Sequence, residues 1–156
     1  MENTSSLARR FREVILDGKW IANTNFQEQL SKIGLAHATE EVGSLNSIAA
    51  LTFHVNYYIA GVLNVFEGGE LEIRDKYSFD LPEITSEEDW VNLVQELISN
   101  AGEFTRHVDA MTEEQLESPF VDEKYGSYRR NIEGMIEHCY YHLGQVSLIR
   151  KMLNER

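Results

Sequence analysis

The sequence is poor in cysteine, in proline and in basic residues. Its 156 residues include one cysteine, Cys139, so an internal disulfide is excluded and a reducing cytoplasm is the expected location. Arginine and lysine number 14 against 26 aspartates and glutamates, which gives a net charge of -12. That charge argues against nucleic acids and anionic membranes as partners, because both are bound through basic patches.

The chain also lacks an apolar leader and any long hydrophobic run without polar residues. The first ten residues, MENTSSLARR, contain no hydrophobic region of a secretory signal. The segment Ile48–Phe66 is long enough to cross a membrane, but it contains His54, Asn56 and Asn64, and such groups are unfavourable in lipid. We therefore expect this segment to be a core helix of a protein that does not insert into membranes.

Both prolines, Pro82 and Pro119, fall between long segments in which apolar residues recur every three or four positions. This periodicity predicts an all-α protein, and the length predicts one domain over residues 1–156. The predicted long helices cover residues 6–17, 39–67, 86–111 and 131–153, and a short helix covers 26–33. Residues Thr85 or Ser86 can cap the third long helix, with Glu88 or Asp89 completing a capping box.

Four long helices around one core form a four-helix bundle. The connection between the second and third long helices spans about 19 residues and reaches up to about 60 Å when extended. The second helix is expected to be about 43 Å long. The connection can therefore run back along the bundle, so we predict a crossover that makes these two helices parallel.

Three of the five histidines fall on the predicted core faces. His138 and His142 lie four residues apart in the segment EHCYYHLGQ, and His54 lies in the middle of the second long helix. Buried imidazoles need a partner for every ring nitrogen, and a divalent metal supplies one partner to all three. The alternative is that these are core histidines satisfied by backbone groups and water, since the spacing alone also arises by chance.

A di-iron site of the ferritin type is excluded, because it requires two Glu-x-x-His motifs. The residues three positions before His138 and His142 are Met135 and Cys139. Cys139 lies about 100° around the helix from His138, so we expect it to pack in the core rather than to bind the metal.

Three further residues are candidates for the surroundings of the metal. A ligating histidine usually donates its second N–H to a nearby acceptor. Gln145, one turn after His142, and Asn131, seven residues before His138, share the face of the ligands, and Tyr58 is expected near the open coordination position. All three have an alternative role as structural hydrogen-bonding residues, and no general base is recognisable, so no catalytic residue is assigned.

Two segments, LTFHVNYY (residues 51–58) and EHCYYHLGQVSLIRK (residues 137–151), resemble the DinB/YfiT-like superfamily of small metal-binding four-helix bundles. The last helix of that family typically reads His-x-x-x-His-x-x-Gln, which corresponds here to His138, His142 and Gln145. The resemblance covers nearly the whole chain. It implies an up-down-down-up bundle, a metal triad of His54, His138 and His142, and zinc or nickel as the metal.

The resemblance also implies a metal-dependent enzyme that acts on a small molecule. The two expected activities are a thiol S-transferase that uses a low-molecular-weight thiol and a hydrolase, and zinc chemistry permits both. The alternative is a non-catalytic dimeric metal-binding or stress-response bundle. A homodimer is expected because Phe11, Trp20 and Trp90 are large apolar residues that one small bundle would leave partly uncovered.

Overall fold

The computed structural model describes residues 2–156, and within that range it is helical and contains no β-strand. The α-helices in chain order are α1 (Thr4–Arg12), α2 (Phe26–Leu30), α3 (Leu35–Thr39), α4 (Ile48–Phe66), α5 (Glu87–Ala110), α6 (Glu113–Glu117) and α7 (Tyr128–Asn154). A π-helical turn, Glu13–Asp17, extends α1, and 3-10 turns occur at Asp75–Tyr77 and Glu123–Tyr125. The predicted all-α class is confirmed.

Most of the apolar core lies between α1, α4, α5 and α7. Helix α4 packs against α5 and α7, and α1 packs against the same two helices. Phe11 of α1 is fully buried against Phe104 of α5, with 4.2 Å between the ring centroids. This core fixes α4 and α7 side by side, and these are the helices that carry the three histidines of interest.

The second long helix starts later than predicted, so the predicted range 39–67 is wrong at its N-terminal end. Helix α4 begins at Ile48, where the Ser47 side chain accepts a hydrogen bond from the backbone N–H of Ala50. Upstream of it, Gly43 has a positive φ of 57°, which is incompatible with a continuous α-helix. The residues before this break form the separate short helix α3.

The other helix ends agree more closely with the sequence. Of the predicted alternatives, Ser86 caps α5 and forms the capping box with Asp89. Helix α7 starts at Tyr128 instead of residue 131, because Ser127 caps it through the backbone N–H of Arg130. The first long helix ends before Gly18, as predicted, but its last turn is π-helical.

The connection between α4 and α5 runs against the surface of α4. Tyr57 is joined to the backbone of Arg74 twice, since its hydroxyl donates to the carbonyl oxygen and accepts from the N–H. At Gly61 a Cβ atom would lie 2.2 Å from Cγ2 of Ile73, so only glycine allows the connection to approach so closely. The segment is thereby held near the middle of α4, where His54 lies.

Helix α4 is long and apolar enough to cross a membrane by length and composition, but its burial is that of a core helix. His54 and Asn56 are buried, and the Asn56 side-chain carbonyl accepts a hydrogen bond of 2.9 Å from Asn100 of α5. The polar residues of this helix therefore have partners within the protein. This agrees with the expectation that the segment is a core helix.

The side chains on which we based the expectation of a dimer differ in exposure. Phe11 and Trp90 are buried, and the indole N–H of Trp90 donates to the carbonyl of Ile33 at 2.7 Å. The interpretation that these two are uncovered is wrong, because Phe11 packs against Phe104 of α5 and Trp90 is covered by the segment around Ile33. Trp20 is 71% exposed and Ile21 is 64% exposed.

Candidate metal centre

The structure brings the three predicted histidines together. His54 comes from the middle of α4, and His138 and His142 come from successive turns of α7. The Nε2 atom of His138 lies 3.2 Å from Nε2 of His54 and 3.0 Å from Nε2 of His142. Two nitrogen ligands of one tetrahedral zinc ion lie about 3.3–3.4 Å apart, given Zn–N bonds of about 2.0–2.1 Å. The observed distances are therefore close to those of a metal site.

Hydrogen bonds on the far side of two imidazoles decide which nitrogen carries the proton. His54 Nδ1–H donates to the backbone carbonyl of Ser78 at 3.2 Å, and His142 Nδ1–H donates to Oε1 of Gln145 at 2.7 Å. A neutral imidazole has one N–H, so both residues present an Nε2 lone pair to His138. A single proton on His138 Nε2 can satisfy only one of those lone pairs. A cation shared by the three nitrogens satisfies all of them, so the donor set fits a divalent metal.

The electrostatic environment keeps the imidazoles neutral. Burial, with the nearby His142 and His54, lowers the pKa of His138 to about 4. Burial lowers the pKa of His54, and the nearby His142 lowers it further. Burial also lowers the pKa of His142. Neutral imidazole is the form that binds a metal. The three histidines can therefore bind a metal at neutral pH and also at pH values below the ordinary histidine pKa of about 6.5.

Cys139 is fully buried in the core, as predicted. Burial raises the pKa of its thiol, which therefore stays protonated. It does not belong to the group of potential metal ligands formed by the three histidines. This thiol has the surroundings of a packing residue and lacks those of a nucleophile.

The three residues expected around the metal have different surroundings. Gln145 contacts His142 directly, through the hydrogen bond described above. The ring of Tyr58 lies 5.2 Å from the ring of His138, and its hydroxyl donates to Oδ1 of Asp75 at 2.7 Å. The Asn131 amide instead donates to two backbone carbonyls before α7, those of Tyr125 and Ser127, both at 2.8 Å. Asn131 thus holds the loop that precedes the helix.

The connection between α4 and α5 supplies contacts that the sequence did not identify. Phe79 stacks on the ring of His54 with 4.0 Å between centroids and 7° between planes. The Ser78 carbonyl and the Asp75 carboxylate come from the same segment. In the sequence, only the unusual length of this connection indicates that it contributes to the site. Its contacts depend on the path of the chain in space, and the contact from Ser78 is made by a backbone carbonyl, which every residue has.

A cavity of about 490 Å³ adjoins the histidines. Of the three imidazoles, that of His138 lines it. The other lining residues are mostly apolar or aromatic, and they are Tyr58, Val62, Leu71, Ile73, Phe120, Tyr125, Arg130, Asn131, Gly134 and Met135. No carboxylate is present in this lining, as far as residues 2–156 define it. The candidate metal centre is therefore next to a space that can hold a small molecule.

Comparison with known protein families gives a match over most of the chain. A family model described as the DinB superfamily matches residues 22–146, a range that contains the three histidines and Gln145. No curated protein matches the chain, and no solved structure matches it.

Proposed function

The chain belongs to the DinB superfamily, and on that premise we propose that it is a metal-dependent thiol S-transferase that acts on a small molecule. The observation that supports this most is the position of His138, which is both part of the histidine cluster and part of the cavity wall. A purely structural metal site would be closed on all sides, whereas a catalytic one keeps a position open to substrate.

A zinc or nickel ion held by His54, His138 and His142 would lower the pKa of a thiol or a water molecule bound to it. The protein itself contributes orientation, since Ser78 and Gln145 fix the proton on Nδ1 of their histidines. The absence of a carboxylate from the described cavity wall favours a thiol over water. A free thiol has a pKa of about 8.5, far closer to neutrality than that of water, and so depends less on a general base.

The bundle topology is part of this proposal. We infer an up-down-down-up order with parallel α4 and α5. Phe66, at the end of α4, lies 5.0 Å from Phe104 in the last part of α5 and 5.9 Å from Tyr128 at the start of α7, measured between ring centroids. The guanidinium of Arg129 in α7 donates to the carbonyl of Glu2 just before α1. The ends of α4 and α5 thus lie together, beside the start of α7 and the start of α1. This arrangement supports α4 parallel to α5, and α1 and α7 parallel to each other but antiparallel to α4 and α5.

We further propose a cytoplasmic homodimer that binds neither nucleic acid nor membranes, in line with the net charge of -12. Tyr141 and Leu148 lie two turns apart on α7, and their side chains are 66% and 57% exposed. The exposed Trp20 lies near the same helix, because the hydroxyl of Tyr140 donates a hydrogen bond to the backbone carbonyl of Trp20. Apolar residues grouped in this way suit a twofold interface. Light scattering that gives a monomer at micromolar concentration would contradict the dimer.

The activity is tested with zinc- and nickel-loaded protein, a panel of cellular thiols and a panel of electrophiles, with conjugates detected by mass spectrometry. We expect conjugation that requires metal and is lost in His138→Ala but kept in His37→Ala, whose histidine lies outside the cluster. Cleavage of ester or amide substrates without thiol would identify a hydrolase instead. Fully loaded protein without turnover in either panel would support the non-catalytic alternative.

A further inference from the structure

We propose that the cavity beside His138 binds an elongated molecule with an apolar middle and an anionic group at one end, and that Arg130 binds this anionic group. The identity of the reacting end rests on the proposed thiol transfer. The anion and the apolar middle follow from the cavity alone.

Arg130 is the one charged residue among those that line the cavity in the described chain. Its nearest acidic partner is Glu137, with 3.8 Å between Nη1 and Oε2 and with side chains that are 65% and 66% exposed. An exposed pair at that distance is weak, so the guanidinium remains able to bind a carboxylate or phosphate with two parallel hydrogen bonds.

The opposite end of the cavity disfavours an anion. The Asp75 carboxylate is not part of the lining, but it accepts a hydrogen bond of 2.7 Å from the hydroxyl of Tyr58, which lines the cavity next to His138. The protein as a whole carries a net charge of -12, so an anion needs a local cation to enter. The charged group of a ligand is therefore expected at Arg130, away from Asp75.

The distance between the two ends sets the length of the ligand. Arg130 and His138 are eight residues apart in α7, so their Cα atoms are about 12 Å apart along the helix. The wall between them is formed mainly by apolar side chains, such as those of Leu71, Phe120 and Met135. A ligand that reaches from Arg130 to His138 therefore passes an apolar surface and gains affinity by burying a hydrocarbon segment.

Gly134 lies between Arg130 and His138 on the cavity wall, where a Cβ atom would meet no other atom within 4 Å. No packing requirement in the structure calls for glycine at this helical position, although glycine is a poor helix former. Its effect is to leave the cavity open. A Cβ atom at residue 134 would enter this space without contacting another part of the protein, so a larger side chain is expected to occupy the space that we assign to the ligand.

The first experiment uses metal-free protein and calorimetry with 6-phenylhexanoate and the neutral 6-phenylhexanol. We expect the carboxylate to bind about tenfold more tightly at low salt, as a charge-assisted hydrogen bond predicts. Arg130→Gln should remove this preference and leave the alcohol unchanged. Gly134→Leu should weaken both ligands, while Gly102→Leu, a helical glycine with equally open surroundings outside the cavity, should weaken neither. An undiminished preference in Arg130→Gln, or full binding in Gly134→Leu, would overturn the proposal.

The second experiment repeats the comparison on zinc-loaded protein with 6-mercaptohexanoate and 6-mercaptohexanol. We expect zinc to tighten both thiols and Arg130→Gln to weaken only the acid. If zinc has no effect on the thiols while the metal-free protein still prefers the carboxylate through Arg130, the anion site stands and the thiol-transfer function is wrong. If zinc tightens both thiols but the acid and the alcohol bind equally, the anion site is wrong and the metal function stands.

Discussion

Replacing Gln145 by leucine should weaken metal binding without unfolding the protein. Gln145 Oε1 accepts the hydrogen bond from His142 Nδ1–H at 2.7 Å, and this bond keeps the Nε2 lone pair directed at the metal position. Leucine has a similar size and a high helix propensity, so the change removes the acceptor with little effect on α7.

The magnitude follows from the role of such partners. Loss of an acceptor behind a metal-binding histidine typically weakens metal affinity about 10–100-fold, or about 1.4–2.7 kcal/mol. Because His142 is only 6% exposed, water replaces the lost acceptor poorly, which favours the upper half of that range. Gln145→Glu should act in the opposite direction, since a carboxylate makes the imidazole a stronger donor to the metal.

The assay is competition for zinc against a fluorescent chelator, with untagged protein and with far-UV circular dichroism as a check on folding. Gln95→Leu is the matched control, because Gln95 is exposed on α5 and remote from the histidines in sequence. An unchanged zinc affinity in Gln145→Leu, with the fold intact, would refute the proposed role of this hydrogen bond.

Three further outcomes are expected. Burial lowers the pKa of His138 from 6.5 in the unfolded chain to about 4 in the folded protein, so between these pH values the unfolded chain binds more protons. The metal-free protein should therefore lose stability as the pH falls from 6.5 to 4. Thermal unfolding of His138→Gln should show a smaller loss of stability over this range, and an equal pH dependence would contradict the assignment. Cys139 should resist alkylation at pH 8 in the native state and react fully in denaturant, and rapid native labelling would contradict its burial. Gly61→Ala should destabilise the protein by about 1–3 kcal/mol in urea unfolding, because the added methyl group requires Ile73 to move. Gly102→Ala should stabilise the protein slightly, because its surroundings are open and alanine is the better helix former. Stabilisation by both changes would show that Ile73 can move without a loss of stability.

The sequence predicts the parts of this structure that depend on local pattern. The capping box at Ser86 and the end of the first helix before Gly18 follow from residue type and spacing, and both are observed. The start of α4 differs from the prediction, because the apolar spacing continues through residues 39–47 although the positive φ of Gly43 interrupts the helix. Ser47 ahead of a long apolar run was the available signal for the true start.

The candidate site divides in the same way. His54, His138 and His142 lie on regular helices, so their common face can be deduced from the helical period, and the structure places them together. Ser78 and Phe79 lie in an irregular connection whose path depends on contacts with α4, such as the one that Gly61 permits. No periodicity constrains such a segment, so its contribution to the site could not be read from the sequence.

The most direct test of the metal centre is the metal content of the untagged protein, measured by mass spectrometry after reconstitution with zinc or nickel. The variants are His54→Ala, His138→Ala and His142→Ala, with His37→Ala as the control outside the cluster. We predict about one metal ion per chain in the wild type and in the control, and loss of the metal in all three cluster variants. Equal metal content in the wild type and the cluster variants, or no metal in any of them, would contradict the account.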